Sequence, residues 1–210
     1  MDNPDTLISD SDNGDIREIF KLLTEFSTAR DPDLWFLANM SLAAETRLPR
    51  WRGRTLKGLQ LALTMNRLAD DRCDPAQLAM AWLAHDITMG FLPLRLLQNK
   101  QPLSRADKRL ITTHVRSAAD LLHRMQGWDS AREMILCHHE RADGLGYPQG
   151  YSDSESCDGG RIIAITDGYI SQTGNRLQGV MEINRHIETQ FSPFWVTIFN
   201  AAVKQISIPV

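Results

Sequence analysis

The sequence predicts an all-α fold, a helical bundle of about seven to nine helices. Three observations carry this prediction. Apolar residues recur at helical spacing along most of the chain, Asp-Pro or Ser-Pro pairs repeatedly mark helix starts, and no segment sustains the period-2 alternation of a half-buried strand.

The elements follow in order. Residues 1–13 are polar and read as a frayed end. From Asp15, the positions Ile16, Ile19, Phe20, Leu22, Leu23 and Phe26 form one apolar stripe. Asp31-Pro32 reads as an N-cap followed by proline in the first turn, opening a helix to about Thr46. A basic break at residues 47–53 separates it from a helix over Thr55 to Leu68. Asp74-Pro75-Ala76-Gln77 repeats the start signal, with Gln77 spaced for a capping box, and this helix runs to His85-Asp86. Ser104 with Asp107 begins a long helix that carries His114 and continues to about Met125. Asp129 or Ser130 caps a helix that ends near His138-His139. Residues 141–160 are rich in Gly, Asp and Ser and form a long loop, a length that in a compact domain points to function. Arg161 to Tyr169 is strongly apolar, and Ser192-Pro193 opens a final helix. Two regions result: a helical extension over residues 1–50 and one domain over residues 51–210.

Composition narrows the function. With 210 residues, 42% hydrophobic and 23% charged, the chain is of ordinary globular make-up. A net charge of −3 gives no basic field for bulk nucleic acid or a membrane surface. No apolar run is long enough to span a bilayer, and the acidic start is unlike a signal peptide. Cys73, Cys137 and Cys157 are isolated, without CxxC spacing, and read as reduced thiols. A cytoplasmic location is expected.

The chemistry concentrates in one set: His85-Asp86 at a helix end, His114 on the next long helix, His138-His139-Glu140 at another helix end, and Asp167 in the apolar segment. Imidazole and carboxylate together suit a divalent ion such as Mn, Fe, Ni or Zn. A carboxylate such as Asp86 can bridge two ions, and paired ions can clamp both oxygens of a phosphoryl transfer. An isolated His-Asp pair carries almost no information, and a His-His pair at a helix C-terminus can simply meet the helix dipole. His123 and His186 fall outside the pattern and read as structural or solvated.

The ordered run His85-Asp86, His114, His138-His139-Glu140-Arg141-Ala142-Asp143-Gly144-Leu145-Gly146-Tyr147-Pro148, then Arg161 to Asp167, resembles the HD-GYP family of the HD phosphohydrolase superfamily over about residues 50–205. Such proteins hydrolyse cyclic di-GMP at a centre of two or three metals. The resemblance implies that Asp86 bridges two ions, with His85 and Asp167 on one and His114, His138 and His139 on the other. It places Gly146, Tyr147 and Pro148 along the substrate groove and gives Arg176 a contact to substrate phosphate, a task suited to a guanidinium.

The sequence also departs from that pattern. His85-Asp86-Ile87-Thr88-Met89 has methionine where the family has a lysine, and methionine cannot donate to a phosphate. The family's histidine ligand ahead of the His-Asp pair is missing, and Gly53, Arg54 and Lys57 occupy its window. A basic residue expected soon after Arg176 is replaced by Leu177, Gln178 and Gly179. One metal site is therefore expected intact and the other weak or absent.

Three functions compete. They are a phosphodiesterase acting on a cyclic or linear dinucleotide, an inactive module that binds cyclic di-GMP or a signalling protein such as a diguanylate cyclase, and a nucleotide phosphohydrolase of the wider superfamily. The Gly-Tyr-Pro loop argues against the last. Met89 and the missing histidine favour weak or lost activity.

Overall fold

The computed structural model describes residues 10–25, 32–46, 51–98, 102–172 and 174–206. Among them the chain forms ten α-helices and no strand: α1 (Asp10–Thr24), α2 (Pro32–Thr46), α3 (Arg54–Leu68), α4 (Pro75–Ala84), α5 (Leu94–Leu97), α6 (Arg105–His123), α7 (Asp129–Cys137), α8 (Asp158–Ile170), α9 (Arg176–Arg185) and α10 (Pro193–Gln205). A 3-10 turn over Ile87–Phe91 links α4 to α5. Nine of these helices are at least nine residues long, and α5 is a single turn. Phe26, Asp31 and the basic stretch at residues 47–50 lie outside the described residues.

Helices α3 and α4 form the centre. Leu78 to Ala84 are all buried, the pattern of a helix packed on every side, and α3 touches α1, α2, α4, α8 and α10. The segment expected as an extension contributes to this core, since Ile19, Leu23, Leu34 and Leu37 join Leu59, Leu78, Ile163 and Phe199 in one cluster.

Caps decide where several helices begin. Asp74 accepts from the Gln77 N–H at 2.9 Å, as its spacing suggests. Gln77 does not return the bond as a capping box would. Its amide donates to the Gly127 carbonyl and accepts from the Ala131 N–H instead, tying α4 to the start of α7. Ser104 and Asp107 do form a reciprocal box. Helix α7 has Trp128 as its N-cap, ahead of the expected Asp129 or Ser130, and no side chain caps it. Helix α9 has no strong apolar signal in sequence and is set by a box between Asn175 and Gln178.

Candidate metal centre

Four helices deliver the candidate residues to one place. His85 is the C-cap of α4 and Asp86 follows it. His114 is a buried residue of α6, and His138 and His139 follow the last residue of α7. Asp167 comes from α8. Helix ends are suited to this role because they project side chains past the packed cylinder while the cylinder fixes their origin.

The structure groups these residues into two trios, His114 with His138 and His139, and His85 with Asp86 and Asp167. Within each trio the candidate ligand atoms lie within 4.8 Å of one another. Asp86 lies between the trios. Its Oδ1 is 3.4 Å from His114 Nε2, while its Oδ2 faces His85 Nε2 at 3.6 Å.

The imidazoles are oriented by main-chain carbonyls. Nδ1 of His85 meets the Trp82 carbonyl, that of His114 the Ile111 carbonyl and that of His138 the Ile135 carbonyl, each at 2.6 Å. A carbonyl only accepts, so each Nδ1 carries a proton and each Nε2 is turned toward the centre. Second contacts of this kind orient metal-binding histidines. His114 Nε2 and His138 Nε2 consequently face each other at 3.4 Å. Burial, then the neighbouring His139, holds His138 well below the usual imidazole range, and burial takes His139 to about 4. Three converging imidazoles beside a carboxylate, with His138 and His139 held neutral, fit a divalent cation.

The other trio does not fit an ion in the same way, because a cation of the chain is already there. Arg54 Nη2 donates to Asp86 Oδ2 at 2.7 Å and also to Asp167 Oδ1. Burial disfavours charge on Asp86 and Asp167, but the carboxyls are held below their ordinary range by His85 and Arg54 in the first case and by Arg54 and His85 in the second. Burial also opposes the guanidinium, and Asp167, Asp86 and Glu45 outweigh it, so Arg54 is raised further. His85 is raised too, since Asp86 and Asp167 prevail over burial. Among the described residues its Nε2 has no partner within hydrogen-bond distance, standing 3.6 Å from Asp86 Oδ2 and 3.8 Å from Asp167 Oδ1.

Arg54 is positioned from two sides. Glu45, at the end of α2, accepts from the Gly53 N–H at 2.8 Å and from the Thr55 N–H, which caps α3 with a carboxylate from another helix. Gly53 takes φ +74°, a left-handed conformation that favours glycine and turns the chain into α3 at Arg54. The Trp51 ring lies 5.2 Å from the guanidinium carbon. Trp51 also pairs with Leu97, and Met89 packs against that pair, so the position of the family lysine serves apolar packing.

The long loop is fastened at the site. Glu140 is buried and accepts the N–H groups of Gln149, Gly150 and Tyr151 at 2.6, 3.0 and 3.0 Å. The Tyr147 ring stacks on His139 with centroids 4.8 Å apart, and its N–H bonds to the His139 carbonyl. A Cβ on Gly146 would fall 2.5–2.6 Å from the backbone of His139, Glu140 and Arg141, so this approach requires glycine. Pro148 follows directly. Arg176 makes different contacts. It donates to the Val203 carbonyl and lines a groove with Leu177, Val180, Asn200 and Lys204. His123 is exposed, and His186 bonds Glu182 at 3.1 Å.

Glu45 and Trp51 escaped the sequence reading. The available signal was a carboxylate ending the uncharged stretch Trp35 to Ala44, nine residues before Arg54.

The fold and site define a helical domain with a histidine–aspartate centre that can hold a metal. The HD domain family model matches residues 38–188, and the chain belongs to that family. Its relatives include the 3'3'-cGAMP-specific phosphodiesterase 3 of Vibrio cholerae serotype O1, 28% identical over 114 residues, which are 54% of this chain and 25% of that protein. The cyclic di-GMP phosphodiesterase of Thermotoga maritima is 30% identical over 94 residues, 44% of this chain and 26% of that protein. The chain spans about a quarter of the length of these relatives. Among solved structures, an HDG"Y"P protein from Bdellovibrio bacteriovorus superposes with TM-score 0.61 at 14% identity, covering 92% of this chain and 69% of that one. The protein is thus an HD domain related to cyclic di-GMP and cGAMP phosphodiesterases. No described helix is long and apolar enough to cross a membrane.

Proposed function

We propose that this domain recognises a cyclic dinucleotide, or a related phosphodiester, at a centre holding a divalent ion through Asp86, His114, His138 and His139, and that it hydrolyses this ligand slowly or not at all. One observation carries the reading. A converging set of imidazoles and a shared carboxylate stands beside a trio whose two carboxylates are engaged by Arg54. A bound ion supplies Lewis acidity toward a phosphoryl oxygen. The chain's own residues do the rest. The carbonyls of Ile111 and Ile135 fix the ring orientations, Tyr147 covers His139, and Gly146 and Pro148 shape the groove edge. Arg176 enters this reading only by exchanging the Val203 carbonyl for a phosphate oxygen.

Binding is favoured over turnover because Met89 offers no donor to the phosphate. Losing one preorganised donor costs about 10²–10³ in rate. A role in signalling follows, with a partner such as a diguanylate cyclase served by ligand occupancy. The test measures metal content together with binding and turnover of cyclic di-GMP and 3'3'-cGAMP under added Mn²⁺ or Fe²⁺. Metal near one equivalent per chain, lost when His138 and His139 are both replaced by Ala, is expected alongside binding with little product. Full metal content in that double variant, or turnover equal to that of an intact relative, would overturn the reading.

A further inference from the structure

We infer that Arg54 is a resident cation, its guanidinium standing in for a metal ion between Asp86 and Asp167, so that the centre consists of one ion and one arginine. The inference rests on the metal reading of the His114 trio. It adds a reason, within the chain, why the neighbouring position takes no ion.

The geometry is that of a bridging cation. A single nitrogen, Nη2, contacts a carboxylate oxygen from each of Asp86 and Asp167, residues 81 positions apart that α8 and the α4 end bring together. The Arg54 side chain is only 13% exposed, so this is no surface arginine caught in passing. It starts at the first residue of α3, where Gly53 turns the chain and Glu45 pins the N–H groups on both sides of it. Trp51 lies against the guanidinium, and the Trp51–Leu97 pair holds Met89. The residue that replaces the family's ligand and the residue that replaces its lysine therefore share one aromatic support.

Charge and chemistry point the same way. A guanidinium has no lone pair to give a metal and does not lose its proton in proteins. An ion entering this trio would have to break two charge-assisted bonds and expel a buried cation. Asp86 keeps Oδ1 for the His114 side while Oδ2 is spent on Arg54. Within the window of the missing histidine, Arg54 reaches both carboxylates.

The experiment compares the full chain with Arg54→His, both purified from Mn²⁺-supplemented growth, by elemental analysis and by electron paramagnetic resonance of bound Mn²⁺. The wild type is expected to carry about one ion per chain with the spectrum of an isolated ion, and the variant about twice that with the signature of an exchange-coupled pair. Unchanged stoichiometry in the variant overturns the inference, as does a wild type that already holds a coupled pair. The difference between the two proteins reads Arg54, whereas the wild-type content reads the metal assignment. A metal-free wild type whose variant gains one ion would support the first and defeat the second. Should Arg54→His fail to fold, Arg54→Met keeps an apolar stem over Trp51, and Mn²⁺ titration of that variant decides. A second, weaker binding event absent from the wild type supports the inference, and an isotherm identical to the wild type's overturns it.

Discussion

His138 and His139 are neutral because the fold buries them beside other imidazoles, and that has a consequence for acid stability. In an unfolded chain an imidazole titrates near 6.5. In the folded protein burial lowers His139 to about 4 and keeps His138 low as well. Between about pH 6.5 and 4 the unfolded chain binds protons that the folded chain refuses, so stability rises with pH across that window and is lost on acidification. His85 acts in the opposite sense, since its raised affinity for a proton stabilises the fold at low pH and the benefit disappears as pH rises through its folded value. For the metal-free protein we expect the urea midpoint to fall from pH 7 to pH 5. His139→Gln should shrink this fall, equivalent to on the order of 1 kcal/mol of unfolding free energy. An unaltered pH slope in the variant would show that His139 is not held neutral by the fold.

Between residue and molecule, one side chain fastens the middle of the loop from His138 to Cys157 to the site. Glu140 takes three main-chain donors, and Tyr147 and Gly146 close the loop back on His139. Glu140→Gln would turn an amide N–H₂ toward donors that a carboxylate oxygen now accepts. A buried donor left unpaired costs about 1–3 kcal/mol. Amide exchange at Gln149, Gly150 and Tyr151 should accelerate, and metal affinity should drop because the His139 ring loses its cover. Exchange rates equal to wild type would refute this account of the loop. At the other side of the site, Ser104→Ala should cost about 1 kcal/mol through the capping box of α6. That loss, read from thermal unfolding, should leave metal content unchanged, because His114 lies more than two turns beyond the cap.

Considered whole, the molecule does not divide cleanly at residue 50. Leu34 and Leu37 of α2 and Ile19 and Leu23 of α1 are in the main core, and Glu45 caps α3 at the residue that enters the site. A chain beginning at residue 51 would expose that apolar face and release Arg54 from its clamp. Each large core side chain removed costs about 2–5 kcal/mol, comparable with a large share of a domain's stability. Such a chain is expected to lose cooperative unfolding and to bind metal poorly. A truncated protein with an unchanged melting temperature and metal content would show the first two helices to be dispensable.

Helical class, most helix starts and the identity of the histidine–aspartate set were legible in the sequence by itself. These features are local, because proline, Asp and Ser caps and a 3.6-residue apolar period act within a few neighbours, and the His138 to Pro148 run is contiguous. The short α9 was less legible, since its boxed start lacks an apolar stripe to accompany it. What only the tertiary structure decided were relations between distant parts of the chain. Gln77 leaves its own helix to hold α7, Glu45 reaches across from α2 to cap α3, and Arg54 meets Asp86 and Asp167. The sequence could name Gly53, Arg54 and Lys57 as residents of the vacated window, but not that Arg54 meets both carboxylates. Side-chain direction at a helix start depends on the turn before it, and here that turn is set by a carboxylate from another helix.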